Sequence, residues 1–230
     1  MTALIRMRLG AFVRSGRALA PAITGLVVLG VIYGGGSSAA AAAYGYSAVT
    51  LFPLLAWQTK LVLDAEPDVQ RRLARLAVGP GREAAAGLVT AVLLGLAVCA
   101  VAMLAPIPFH GIRGPLPGES SLGAGVLAGI LAHLLAVPAG VALGALASRV
   151  VTRTVRNGLI VLVVGVVLTI VLGLRGSVVP WLVPPVMAVA RRLTAPQLPS
   201  GATFVLLTGW TVAWCGVALT GYGALRRRRA

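Results

Sequence analysis

The sequence predicts an all-α integral membrane protein, and three observations carry that prediction. The mean hydropathy is +0.95, with 58% hydrophobic and only 11% charged residues, which no ordinary water-soluble domain of 230 residues shows. Long apolar runs recur along the chain without the period-two alternation of barrel strands. The basic residues gather in every second interval between those runs. A hydrocarbon layer about 30 Å thick requires roughly 17–25 mostly apolar residues per helical crossing, because every backbone N–H and C=O must be bonded within the segment. Six crossings are expected, at residues 22–43, 46–63, 84–106, 122–147, 158–174 and 202–224, with Lys60 and His133 as ionisable groups inside them.

Residues 1–20 precede the first crossing and are expected to be retained as a helix lying in the membrane interface. At 100° per residue Ile5, Leu9, Phe12 and Val13 share one face while Arg6, Arg14 and Arg17 share the other, and Pro21 is expected to redirect the chain. A cleaved secretion signal would leave five crossings and reverse the arginine bias of those that remain.

The arginines set the orientation. Sixteen of the 20 basic residues lie in alternate segments: Arg6, Arg8, Arg14 and Arg17; Lys60, Arg71, Arg72, Arg75 and Arg82; Arg149, Arg153 and Arg156; and Arg226 to Arg229. The other segments keep only Arg113, Arg175, Arg191 and Arg192. The positive-inside rule then puts both termini in the cytoplasm. The net charge of +15 is therefore a topology signal, and the basic tail 226–230 suits an anionic inner leaflet. Charges dispersed over short loops do not form the continuous basic face that a nucleic acid requires, so no nucleic-acid partner is expected.

Four of the chain's 5 acids, Asp64, Glu66, Asp68 and Glu83, fall between the second and third crossings. The intervening pattern reads as a short helix. Pro67 suits the first helical position, Glu66 and Asp68 the positive end of the helix dipole, and Gly79 a left-handed stop. Val69, Leu73 and Leu76 form an apolar stripe, and Asp68 lies four residues before Arg72. A helix of this kind rests on lipid or docks into a protein, and its carboxylates favour a protein groove over an anionic leaflet.

Enzyme chemistry finds little purchase. The only lysine, Lys60, lacks the glycine frame of a P-loop, so the chain itself is not expected to hydrolyse ATP. Ser37 or Ser38 with His133 lacks a nucleophile motif, and His133, with Ala and Leu neighbours, reads as a neutral hydrogen-bonded packing group. Cys99 and Cys215 read as apolar fillers, with no histidine pair to complete a metal site. Small-residue spacings such as Gly125 to Gly129 and Gly140 to Gly144 permit close helix contact without choosing a partner.

Over its whole length the chain resembles the permease subunits of bacterial ABC exporters of the ABC-2 type, especially the compact, Ala/Gly/Arg-rich ones of high-GC actinobacteria. The resemblance rests on the basic amphipathic start, the six crossings, the loop LDAEPDVQRRLARLAVGPGR, the shorter basic loop SRVVTRTVRN and the outer segment GSVVPWLVPPVMAVARRL. It implies an N-terminal elbow helix (1–20), a six-helix domain (21–225), a coupling helix at about 66–79 and an outer re-entrant segment at about 176–195. Asp64, Glu66, Pro67, Asp68, Gln70, Arg71 and Arg72 would then contact an ABC ATPase subunit, with Val69 and Leu73 as apolar anchors. Arg149, Arg153 and Arg156 would form a second cytoplasmic loop, and Pro180, Trp181, Pro184 and Pro185 the outer broken helices. The resemblance further implies two ATPase copies holding ATP and Mg, no cofactor in this chain, a second permease chain, membrane lipid around both, and a bacterial cell membrane location. The few polar side chains in the crossings, among them Thr24, Tyr33, Ser47, Thr50, Gln58 and Thr59, point to an apolar or amphipathic cargo such as a lipid, a hydrophobic peptide or a secondary metabolite. The alternative is a non-conducting anchor that recruits a cytoplasmic partner through the same loop.

Overall fold

The computed structural model describes residues 1–195 and 197–228, so that Arg229 and Ala230 of the expected basic tail lie outside the described residues. The regular structure of the described residues is helical, with a single parallel bridge between Ser38 and Ile112 and no β-strand. Helix α1 (Thr2–Arg14) is followed by α2 (Leu19–Gly34), bent from it by 74°. Then come α3 (Ala40–Asp64), α4 (Asp68–Val78), α5 (Pro80–Leu104) and the single turn α6 (Pro106–Phe109). After a loop follow α7 (Leu122–Leu146), the turn α8 (Arg149–Thr152) and α9 (Val155–Leu172). A 3-10 turn (Pro180–Leu182), α10 (Val186–Leu193) and α11 (Gly201–Arg227) complete the order. Five helices are long and apolar enough to cross a membrane, and a sixth crossing is formed if the bent α1–α2 pair is one span.

The first crossing differs from its expected bounds. Helix α2 stops at Gly34 rather than running to residue 43, so its 16 residues extend only about 24 Å at 1.5 Å per residue. Three successive glycines oppose helix continuation, and Gly36 takes φ +125°. Ser38 then turns its backbone to the loop after α6, donating to Gly111 O (3.1 Å) and accepting from Arg113 N (3.0 Å). Helix α3 consequently starts at Ala40, earlier than the expected residue 46, and has 25 residues. The break between α1 and α2 also lies earlier than Pro21: it falls at Ser15 to Ala18, with Gly16 at φ +69°. Pro21 sits in the first turn of α2, where its missing N–H costs nothing.

Helices α3 and α7 make the core. In their most apolar windows 67% and 61% of residues are buried, against 17% and 22% for α9 and α11, which line the outside. Glycines let the two central backbones approach closely. A Cβ on Gly140 would meet Leu55 Cβ at 2.7 Å, and one on Gly144 would meet Ala56 O at 2.3 Å. Both glycine pairs noted in the sequence therefore face α3, with Ala132 and Ala136 continuing the seam between them. Cys99 and Cys215 are free and buried among apolar neighbours.

At one end of the bundle a proline-rich loop is closed by Arg113, whose two terminal nitrogens each reach a Glu119 carboxylate oxygen at 2.7 Å. The Arg113 guanidinium, with the Leu116 N–H (2.9 Å), holds the Glu119 carboxyl down at about 2. The segments 1–17, 60–82, 149–156 and the last turn of α11 converge on the opposite end, which is the arginine-rich one.

Candidate functional site

The arginine-rich end is built around carboxylates drawn inward. Gly79, at φ +86°, ends α4 and caps α5, and Pro80 opens α5 without a donor to satisfy. That turn sets Glu83 in the first turn of α5, where it is only 1% exposed. Its carboxylate takes Arg8 of α1 at 2.5 Å, Arg75 of α4 at 3.5 Å and Arg226 of α11 in direct contact. Arg8 also pairs with Glu66 and donates to Glu83 O at 2.9 Å. Arg226 donates in addition to Tyr222 OH at 2.8 Å.

Asp64 closes a second knot at the end of α3. It accepts from Lys60 Nζ at 2.7 Å and from the backbone N–H of Arg149 at 2.7 Å, while Arg149 Nη2 donates to Asp64 O at 2.9 Å. Arg71 fills the space between the knots, donating to Leu63 O (3.0 Å) and Glu66 O (3.2 Å) and pairing with Asp68 at 3.4 Å. Burial pushes its guanidinium below the usual arginine range, against the pull of Asp68 and Glu66. Three inward acids, Asp64, Glu66 and Glu83, thus hold five bases, Arg8, Lys60, Arg75, Arg149 and Arg226, while Arg71 is held by backbone carbonyls and Asp68.

The structure divides the expected contact residues of 64–73 into two sets. Asp64, Glu66 and Arg71 turn into the protein, because a charge at the base of a packed bundle is stable only when paired. Pro67, Asp68, Val69, Gln70, Arg72 and Leu73 face outward. The apolar stripe is well exposed, with Val69 at 69%, Leu73 at 60% and Leu76 at 85%. Pro67 caps α4 instead of occupying its first turn. Of the second loop, Arg149 joins the Asp64 knot, while Arg153, at φ +68°, and Arg156 are exposed.

Comparison of the chain with protein-family models, with curated proteins and with solved structures finds no match.

Trp181 is exposed, Pro180 is half-buried, and Pro184 and Pro185 are buried just before α10, which packs on α3 and α7. Trp214 Nε1 of α11 donates to Leu182 O at 2.9 Å and fixes the 3-10 turn. In mid-bundle His133 Nδ1 lies 2.8 Å from Gly129 O, which assigns its proton there, and Ser47 Oγ lies 3.2 Å from Nε2. Tyr33 OH donates to Ser47 Oγ at 2.9 Å. The Ser47 hydroxyl is fully buried with no opening to a substrate, so this pairing is a polar tie between α2, α3 and α7.

Sequence reasoning did not find Arg8, Arg75 and Arg226 as partners of Glu83. Arg8 lies on the buried side of α1 together with Phe12, between the two faces assigned by periodicity. The signal available was scarcity: in an apolar chain with so few acids, each inward carboxylate needs a cation, but periodicity does not say which one.

Proposed function

We propose that this chain is the permease subunit of an ABC exporter of the ABC-2 type, set in a bacterial cell membrane with both termini in the cytoplasm. Two copies of a separate ABC ATPase, with their ATP and Mg, would drive it, and a second permease chain, identical or related, would complete the path. The observation that supports this reading is α4. Its inner face is tied through Arg71 and Arg75 to α3 and α5, while Val69, Leu73 and Leu76 are left uncovered beside Asp68 and Arg72. A short amphipathic helix anchored on one side and bare on the other suits insertion into a partner's groove. Movement of that partner would pass through Glu83 to α1, α5 and α11 and rock the bundle against its mate. The apolar lining of the crossings favours an apolar or amphipathic cargo.

Leu73→Asp tests the reading, since Leu73 is exposed and its replacement leaves the ion pairs intact. The variant is expected to insert and melt like the parent while binding to the proposed ABC ATPase weakens at least about thirty-fold, the loss of one apolar anchor worth about 2 kcal/mol. Unchanged co-purification would remove α4 from the contact. A non-conducting anchor is the second reading, favoured by the scarcity of polar side chains along the crossings. ATP-dependent transport by the reconstituted complex separates the two.

A further inference from the structure

We propose that Arg175, Arg191 and Arg192 bind the phosphate of an anionic phospholipid, in the leaflet at the end of the bundle away from Glu83. Helix α9 starts just after α8 at the arginine-rich end, and its 18 residues carry the chain about 27 Å to Leu172. Gly173 then packs against α10, where a Cβ on it would lie 2.7 Å from the Cβ of Met187. One turn further along α10, Arg191 donates to Gly173 O and ties that helix to the end of α9. Gly176, at φ +83°, turns the chain straight after Arg175. These contacts bring Arg175 and Arg192 within electrostatic reach of Arg191. Burial, and then the like charges of those two residues, hold its guanidinium below the usual arginine range.

The protein's own acids do not balance this charge. Asp64, Glu66, Asp68 and Glu83 are engaged with bases at the arginine-rich end, and Glu119 with Arg113. Among the described residues no carboxylate side chain is left for Arg175 and Arg192, both exposed. Like charges gathered in one place repel unless a counter-charge joins them. The surroundings favour a lipid as its source. Leu174, Val178, Trp181 and Leu182 are exposed in the same segment, and a tryptophan bare among arginines marks the headgroup level of a bilayer. Val164, Leu168 and Val171 form an exposed stripe at helical spacing on α9 and lead up to the turn that carries Arg175. An acyl chain lying on that stripe brings its phosphate to the guanidinium groups, whose planar forks suit phosphate oxygens. The site does not depend on the exporter reading.

Photolabelling of the full chain in phosphatidylcholine nanodiscs tests it, with a diazirine near the glycerol end of an acyl chain in phosphatidylglycerol and, in parallel, in phosphatidylcholine. Within residues 164–192 the phosphatidylglycerol probe is expected to exceed the other at least about five-fold, the yield of one surface arginine facing an anionic headgroup. At residues 122–127, which open α7 beside the Arg113–Glu119 pair, the two probes should label alike. Arg175→Gln combined with Arg192→Gln leaves the Arg191 bond in place and should remove the preference. Inorganic phosphate should lower it no more than chloride at equal ionic strength. Equal labelling of residues 164–192 by the two probes overturns the proposal, and so does an equal enrichment at the start of α7, which would be a general attraction to the surface. A preference that survives the double replacement also overturns it, as does one lost to inorganic phosphate and kept in chloride, which would give the site to the free anion. The comparison of the two probes on the parent protein needs no variant to fold.

Discussion

Glu83 shows what a single carboxylate does at the base of an apolar bundle. It neutralises part of the charge brought by Arg8, Arg75 and Arg226, and it does so from a position without access to water. Glu83→Gln is expected to destabilise the protein by about 3–5 kcal/mol, because it leaves buried guanidinium groups without their counter-charge. Thermal unfolding in nanodiscs measures it, with Glu119→Gln in the partly exposed Arg113 pair as the comparison expected to cost less. Equal melting of the Glu83 variant and the parent would sink the claim. Replacing Glu66 by a base falls in the same class, because it would confront Arg8 directly. At this scale the sequence is informative about kind and silent about partner. The cluster of four acids among arginines is plain on the page, yet whether Asp64 meets Lys60, one turn away, or Arg149, far along the chain, depends on how α3 and α8 pack.

Between elements, the seam of α3 with α7 shows how much of a membrane bundle is decided by the absence of side chains. Gly144→Leu places a branched side chain where even a Cβ would lie 2.3 Å from Ala56 O, and is expected to cost about 3 kcal/mol or more, at or above the upper end for overpacking. Gly123→Leu, on the same helix but with nothing near its Cβ, should melt like the parent. A similar loss from both would mean that helix propensity and not the seam is at work. The spacing of four between Gly140 and Gly144 was legible, whereas the choice of α3 as partner was not, since in a chain with 29 glycines such spacings are abundant. Helix ends followed the same division. The stop at Gly79 was readable because a residue with φ +86° there needs to be glycine. The stop at Gly34 was missed because apolar and small residues continue past it, and the reason for the break, the bonding of Ser38 to Gly111 and Arg113, lies at the end of another helix.

For the whole molecule, the arrangement of charge along the chain becomes an arrangement in space: the segments rich in arginine meet at one end, and the Arg113 loop and α10 lie toward the other. Gly118, Ser200 and Arg153 are all exposed, so a thiol placed at any of them reacts according to side and not burial. Gly118→Cys and Ser200→Cys are expected to react with an impermeant reagent applied outside intact cells, and Arg153→Cys only after the membrane is opened. Labelling of Arg153→Cys in intact cells would reverse the orientation.

The meeting of α1, α4 and α11 on Glu83 has a consequence for how the protein is made. The ribosome delivers Arg8 first, then Arg75 and Glu83, and Arg226 only after α5 to α10 have emerged, so the carboxylate acquires that partner when α11 is in place. A chain whose α11 inserts the wrong way round carries Arg226 to the opposite face and leaves Glu83 one guanidinium short. The site therefore distinguishes a chain in which α11 has docked from one in which it has not.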